Sequence, residues 1–284
     1  MRETVLITGA SSGIGKTFAF EYAGQGKNLI LTARSKDKLD KIKKEIEKKF
    51  SVDVKVLIKD LAKENSAAEL YRELKQNDLH VDILVNNAGF GTSGEFHKKE
   101  FAGQHDQIIL NCLSLADLTY FIIKDMAEKN RGNIINIAST AAFQPVPYMA
   151  VYGATKAFVL SFSEALHQEY KNYGIKVTAV CPGATETSFF DTAGPVGMGM
   201  HRKAEEVVKT AVKAAEKNKL YVVDGVKNYG VTLLSRFLTR KKTAEISGKI
   251  LKKETQKISN ITPKNQIFFL IKIIIWFSYL RTLI

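Results

Sequence analysis

Cysteine is nearly absent: the 284-residue chain has only Cys112 and Cys181, far apart and without a C-x-x-C spacing. That argues against a disulfide scaffold and a cysteine metal site, and favours a reducing, cytoplasmic compartment. Acidic side chains are also in deficit, 29 against 42 Lys and Arg, which leaves a formal charge of +13. Such a surface favours phosphorylated cofactors, membrane surfaces or nucleic acid. No zinc-ligand or RNA-binding aromatic motif accompanies the lysines, so no nucleic-acid partner is expected. No repeat of fixed period interrupts the chain. The N-terminal residues Met1 to Ile7 run directly into an expected strand, so no signal peptide is expected. What is present is ordinary globular material, 45% hydrophobic and 25% charged, enough for one large core.

Short apolar runs alternate with segments of helical period. Strands are expected at Val5 to Ile7, Leu29 to Leu31, Val54 to Ile58, Ile83 to Val85, Ile134 to Ile137, Val177 to Val180 and Leu220 to Val223. Helices are expected at Ile14 to Ala23, Lys36 to Phe50, Ser66 to Gln76, Phe101 to Lys129, Tyr152 to Tyr173 and Glu205 to Lys217. Strands without polar alternation, separated by helices, predict a doubly wound α/β fold: a mostly parallel, seven-stranded sheet covered on both faces. Its ligand cleft should open at the carboxyl ends of the strands. In the lysine-rich second helix, Leu39, Ile42, Ile46 and Phe50 form a buried stripe beneath a solvated face.

The first strand leads into Thr8-Gly9-Ala10-Ser11-Ser12-Gly13-Ile14-Gly15. Gly9 suits a tight turn, Gly13 the approach of a pyrophosphate, and Gly15 the packing of helix on strand. With Ser11, Ser12 and Ile14 between them, these residues are expected to hold a dinucleotide at the helix N-terminus. The second strand ends at Ala33-Arg34, where a carboxylate would bind a ribose 2′-hydroxyl. Arg34 supplies instead a donor fork suited to a 2′-phosphate, so NADP(H) is preferred over NAD(H).

Thr8 to Gly15, Asn86-Asn87-Ala88-Gly89, Asn111, Ser139, Tyr152-Gly153-Ala154-Thr155-Lys156 and Pro182-Gly183 occur in this order. On these motifs the chain resembles the short-chain dehydrogenase/reductase family over about residues 3 to 190. The resemblance implies a Rossmann-type oxidoreductase with Asn111, Ser139, Tyr152 and Lys156 as catalytic residues, and a homo-oligomer. It also implies that Tyr152 and Lys156 contact the cofactor and that Asn111 supports a water-linked proton path through Lys156. Asp60 and Leu61 would meet the adenine, and Asn87, Ala88 and Gly89 the adenosine ribose, unless Asn87 ties neighbouring strands together. Pro182, Gly183, Thr185 and Thr187 would surround the nicotinamide carboxamide.

The chemistry has its own argument. Tyr152 and Lys156 are four residues apart and share a helix face. A cation about 4 Å from the phenol contributes roughly 4 kcal/mol at an effective dielectric of about 20. This is expected to lower the tyrosine pKa by up to about 3 units before desolvation opposes it. Ser139, just after the fifth strand, can hydrogen-bond a substrate carbonyl. A non-catalytic NADP(H)-binding sensor is the competing reading, but it has no need for all four residues.

Phe143-Gln144-Pro145-Val146-Pro147-Tyr148-Met149 is strongly apolar. Phe189, Phe190, Met198 and Met200, with Gly194, Pro195, Gly197 and Gly199, suit a lid over an apolar ketone, aldehyde or 3-oxoacyl substrate. Residues 1–258 are expected to form one domain, and 259–284 a hydrophobic helical tail beyond it, set off by Pro263. As a helix, 267–280 would span about 21 Å, short of the ~30 Å hydrocarbon core. With Lys249, Lys252, Lys253, Lys257 and Lys264 before it, the tail is expected to attach to a membrane surface, to a subunit or to the body.

Overall fold

Every strand expected from an apolar run is paired in the computed structural model, which describes residues 2–189, 193 and 201–259. The strands are β1 (Thr4–Thr8), β2 (Asn28–Ala33), β3 (Val54–Ile58), β4 (Ile83–Asn86), β5 (Gly132–Ile137), β6 (Ile175–Cys181) and β7 (Tyr221–Val223). They form one parallel sheet in the order β3-β2-β1-β4-β5-β6-β7, a Rossmann-type arrangement that reverses direction beside β1. Side chains of one strand alternate between two covered faces. Val5 and Ile7 join the cluster beneath α1 (Gly13–Gly24), α2 (Lys36–Lys49) and α7 (Ala204–Glu216). Leu6 joins the opposite cluster, beneath α3 (Ser66–Gln76) and α5 (Ser114–Glu128). Burial on both sides is why these strands carry continuous apolar runs.

Leu39, Ile42 and Ile46 are buried under α2 as expected, while Phe50 is only half-buried at its end. The long helix expected over Phe101 to Lys129 is divided: α4 (Phe101–Ile108) passes through a π turn, Ile109–Leu113, into α5. A π turn inserts one residue into the helical ladder and re-aims the side chains there; such insertions occur often at functional sites. The stretch Phe101–Glu128 is long and apolar enough to cross a membrane, but 56% of its apolar window is buried. Its hydrophobicity is therefore largely accounted for by the core, where Leu118, Ile122, Ile123 and Met126 face the sheet.

The helix expected at Tyr152 begins two residues earlier, as α6 (Ala150–Glu169), and a separate 3-10 turn holds Lys171–Tyr173. Two helices were not anticipated: α8 (Val226–Phe237) and α9 (Arg240–Ser259). Their buried residues, among those described, are the polar Thr232, Thr243 and Ser247, so no buried apolar stripe marks them as it marks the other helices. A buried polar row also crosses the core: Asn86 donates to Thr119 Oγ1 and Asn136 Oδ1, both at 2.9 Å, and Asn136 donates to Ser163 Oγ at 2.9 Å. Each amide is satisfied, so the row ties α5, β4, β5 and α6 without an unpaired group. Phe190, Gly194, Pro195, Gly197, Met198, Gly199, Met200 and the tail from 260 onward lie outside the described residues.

Candidate active site

The carboxyl ends of β1, β2 and β4–β6 open into a cavity of about 610 Å³. At one end is the glycine turn. Gly9 sits at φ +66°, and a Cβ there would be 2.9 Å from the Ala88 Cα. At Gly15 a Cβ would overlap the Gly9 carbonyl and lie 2.5 Å from Asn87 Nδ2. Gly15 therefore packs α1 against the β1 turn and does not line the cavity, whereas Gly9, Ser11, Ser12, Gly13 and Ile14 do. Gly13 differs from expectation: the space its missing Cβ would need is filled by Thr187, 2.9 Å away, rather than left open. Ser12 and Ser188 hydroxyls meet at 3.1 Å, so the segment after β6 folds onto the glycine turn.

Asn87 ties the strands, donating to the carbonyls of Thr8 (2.9 Å) and Gly9 (3.2 Å). The Thr8 hydroxyl in turn accepts from the backbone N–H groups of Asn87 and Ala88. Thr8 was not singled out from sequence beyond its place in the motif. Arg34 is exposed at the rim, where Ser35, Lys38 and Lys59 also line the cavity, Lys59 being paired with Glu69 and Glu73. None of these three was anticipated, although Lys38 stands four residues beyond Arg34. Asp60 and Leu61 line the same region, with Asp60 Oδ1 accepting from the Ala62 N–H at 3.1 Å.

At the other end, α6 presents Tyr152 and Lys156, and Ser139 follows β5. Lys156 Nζ donates to the Ile137 carbonyl at 2.7 Å and stands 5.9 Å from the Tyr152 ring centre. The Ser139 hydroxyl accepts from the Ala141 N–H at 3.1 Å. Asn111 is behind the cavity wall in the π turn. Its amide donates to the Phe90 carbonyl (2.9 Å) and Thr155 Oγ1 (3.1 Å) and accepts from the Phe90 N–H (3.1 Å). Gly89 makes room for this junction: a Cβ there would be 3.0 Å from Asn111 Oδ1 and 3.5 Å from Lys156 Nζ.

The expected direction of the Tyr152 pKa is reversed. Burial pushes the phenol above its ordinary value, opposed by a hydrogen bond with Ser139. Burial also pushes the Lys156 pKa down, to about 8, against the opposing influence of Cys112 and Cys181. Desolvation is thus the largest influence on both groups. The phenol holds its proton through neutral pH, and the ammonium is charged up to about pH 8.

Pro182, Gly183, Thr185 and Thr187 line the cavity beyond β6. The Thr185 hydroxyl donates to the Gly183 carbonyl (3.1 Å). Its backbone pairs with Arg202. The Arg202 guanidinium binds the fully buried Asp224 carboxylate, one bond measuring 3.3 Å, and Thr210 donates to the same carboxylate at 2.7 Å. This pair, whose members are 22 residues apart and leave no local motif, ties Arg202 to the end of β7. The apolar wall comes from Val146, Met149 and Phe189, with Val231, Ile250 and Leu251 from α8 and α9. Phe189 packs on Tyr152 with ring centres 5.3 Å apart. Phe143 points elsewhere, against Tyr221. Ser247 Oγ donates to the Pro145 carbonyl at 2.8 Å, which holds α9 over the 145–147 segment.

A family model described as short chain dehydrogenase matches residues 3–195. The chain belongs to the short-chain dehydrogenases. It is therefore an oxidoreductase of the dinucleotide-binding Rossmann class. Among curated relatives, the bovine (Bos taurus) very-long-chain 3-oxoacyl-CoA reductase is 36% identical over 63% of this chain, which spans 58% of that protein's length. Rat (Rattus norvegicus) 17-beta-hydroxysteroid dehydrogenase type 3 is 33% identical over 81% of this chain and 72% of its own. A short-chain dehydrogenase from Sphingobium yanoikuyae, solved in complex with NADPH, superposes with a TM-score of 0.76. It is 34% identical, covering 83% of this chain and 94% of that one.

Proposed function

We propose that this short-chain dehydrogenase reduces an apolar ketone, aldehyde or 3-oxoacyl substrate with NADP(H), reversibly, and that Tyr152 exchanges the proton. The observation that carries the reading is the convergence of Ser139, Tyr152 and Lys156 on the wall of one cavity whose other end is the glycine turn. The turn fits a dinucleotide, because Gly9 holds a positive φ and Gly15 brings α1 against the turn beside it. Arg34 and Lys38 at the rim favour a 2′-phosphate, and the NADPH complex of the Sphingobium relative agrees with that choice. Asp60 and Leu61 would hold the adenine end, and Ala88 and Gly89 the ribose. Pro182, Gly183, Thr185 and Thr187 would border the nicotinamide. When bound, the cofactor supplies the hydride.

In the direction of reduction, the Ser139 hydroxyl orients the substrate oxygen and Tyr152 donates its proton to it. The raised pKa of the phenol suits a proton donor at neutral pH. Lys156, charged below about pH 8, stabilises the phenolate that remains. Asn111 holds the Phe90 segment and α6 in register, behind a proton path through Lys156. The apolar wall of Val146, Met149, Phe189, Val231 and Leu251 supports a hydrophobic substrate, in keeping with the oxoacyl and steroid enzymes among the relatives. A cytoplasmic site, membrane attachment through the tail and homo-oligomerisation complete the proposal.

The deciding experiment follows NADPH and NADH oxidation across carbonyl compounds of graded chain length. The proposal expects NADPH to be preferred and kcat/KM to rise with apolar chain length. A preference for small charged carbonyls, or for NADH, would contradict it.

A further inference from the structure

Helix α8 is inverted in polarity. At 3.6 residues per turn, Asn228, Val231, Thr232 and Ser235 share the inward side, where Asn228 and Val231 line the cavity and Thr232 is buried. The outward side carries Val226 (89% exposed), Tyr229 (50%), Leu233 (40%), Leu234 (59%) and Phe237 (80%). These occupy a continuous sector of about 140°, interrupted only by Gly230. A surface helix normally buries its apolar stripe and exposes its polar one. Scattered exposed leucines need no explanation, but a contiguous apolar ridge on one helix marks an interaction surface.

The charge around the ridge selects its partner. Lys227 and Arg236 flank it, and Arg240, Lys241 and Lys242 follow at the start of α9, all exposed. No acidic residue occurs from Val226 to Ala244. The preceding Asp224 is buried and paired with Arg202, so it does not offset them. An apolar face bordered by cations is the pattern of a helix lying in a membrane interface, where apolar side chains enter the acyl boundary and cations meet anionic headgroups.

We propose that the outward face of α8 docks on an anionic lipid bilayer. The docking places the bilayer one helix diameter, about 10 Å, from the cavity wall formed by the inward side of the same helix. It rests on the described helix and its exposed residues, not on the hydrophobic tail or on the proposed substrate.

The test uses the full chain with Phe237→Cys or Lys48→Cys, each labelled with a small fluorophore. Lys48 is exposed on α2 beside the opposite sheet edge, and both native cysteines are buried. Vesicles of phosphatidylcholine with phosphatidylserine carry a lipid-borne quencher, and unchanged circular dichroism and cofactor affinity check the fold. The label at 237 should be quenched at least several-fold more than the label at 48. Its apparent lipid affinity should fall at least about tenfold in pure phosphatidylcholine, since each cation near the surface contributes about 1 kcal/mol. Equal quenching at the two positions overturns the proposal. So does a shift at 237 that depends on protein concentration without lipid, which would assign the face to a second copy of the chain.

Discussion

The two ends of the cavity are built differently. The glycine-turn end is made of backbone against backbone: Gly15 leaves no room for a Cβ, Thr8 receives two N–H groups, and Asn87 binds two carbonyls. The capped end is made of side chains brought from distant parts of the chain: Phe189 on Tyr152, Ser247 on Pro145, and Arg202 on buried Asp224. Backbone contacts admit few residue types and so leave a fixed spacing in the sequence. Side-chain contacts can be made in many ways and leave little local trace.

The difference can be sharpened by substitution. The largest effect is expected at the cap. Arg202→Met leaves the buried Asp224 carboxylate without its guanidinium and should destabilise by about 3 kcal/mol, near the lower bound for a broken buried pair. Arg202 is itself a third exposed, which places it there. Urea denaturation measures this, and an unchanged midpoint would remove the pair from the account. Next is Gly15→Ala, where the added methyl meets the Gly9 carbonyl and Asn87. Overpacking of this kind costs about 1–3 kcal/mol. Here NADPH affinity, read by fluorescence titration, should fall together with stability. Phe237→Ser, on the outward face of α8, should shift stability in solution by no more than about 0.5 kcal/mol. A larger loss would mean that the face is already covered.

The seven-stranded parallel sheet and the helices between its strands were legible from the apolar runs, and Ser139, Tyr152 and Lys156 from the motifs that carry the family resemblance. Three things were not. The π turn at Asn111 looks like continuous helix, because Ile108, Ile109 and Leu110 keep an apolar pattern through it. The helices α8 and α9 are held by tertiary docking and have no regular apolar stripe toward the core. The direction of the Tyr152 pKa was misread because a four-residue spacing gives proximity but not dehydration. Burial raises the phenol and lowers Lys156 together.

That correction changes the expected pH behaviour. Lys156 has its pKa held near 8 against an ordinary 10.5, so its buried charge costs stability at neutral pH. As pH rises from about 8 toward 10.5 the unfolded chain binds more protons at this group, and its contribution to stability improves. Activity should move the other way, falling above about pH 8 as the ammonium is lost.

The most direct test compares Tyr152→Phe with the unaltered enzyme in single-turnover NADPH oxidation across pH, alongside NADPH affinity. The account predicts unchanged affinity and a rate lower by about 10²–10⁴-fold, the usual contribution of a positioned proton donor. It also predicts that the unaltered enzyme loses rate above about pH 8. A Tyr152→Phe variant that turns over within a few-fold of the unaltered enzyme would contradict it.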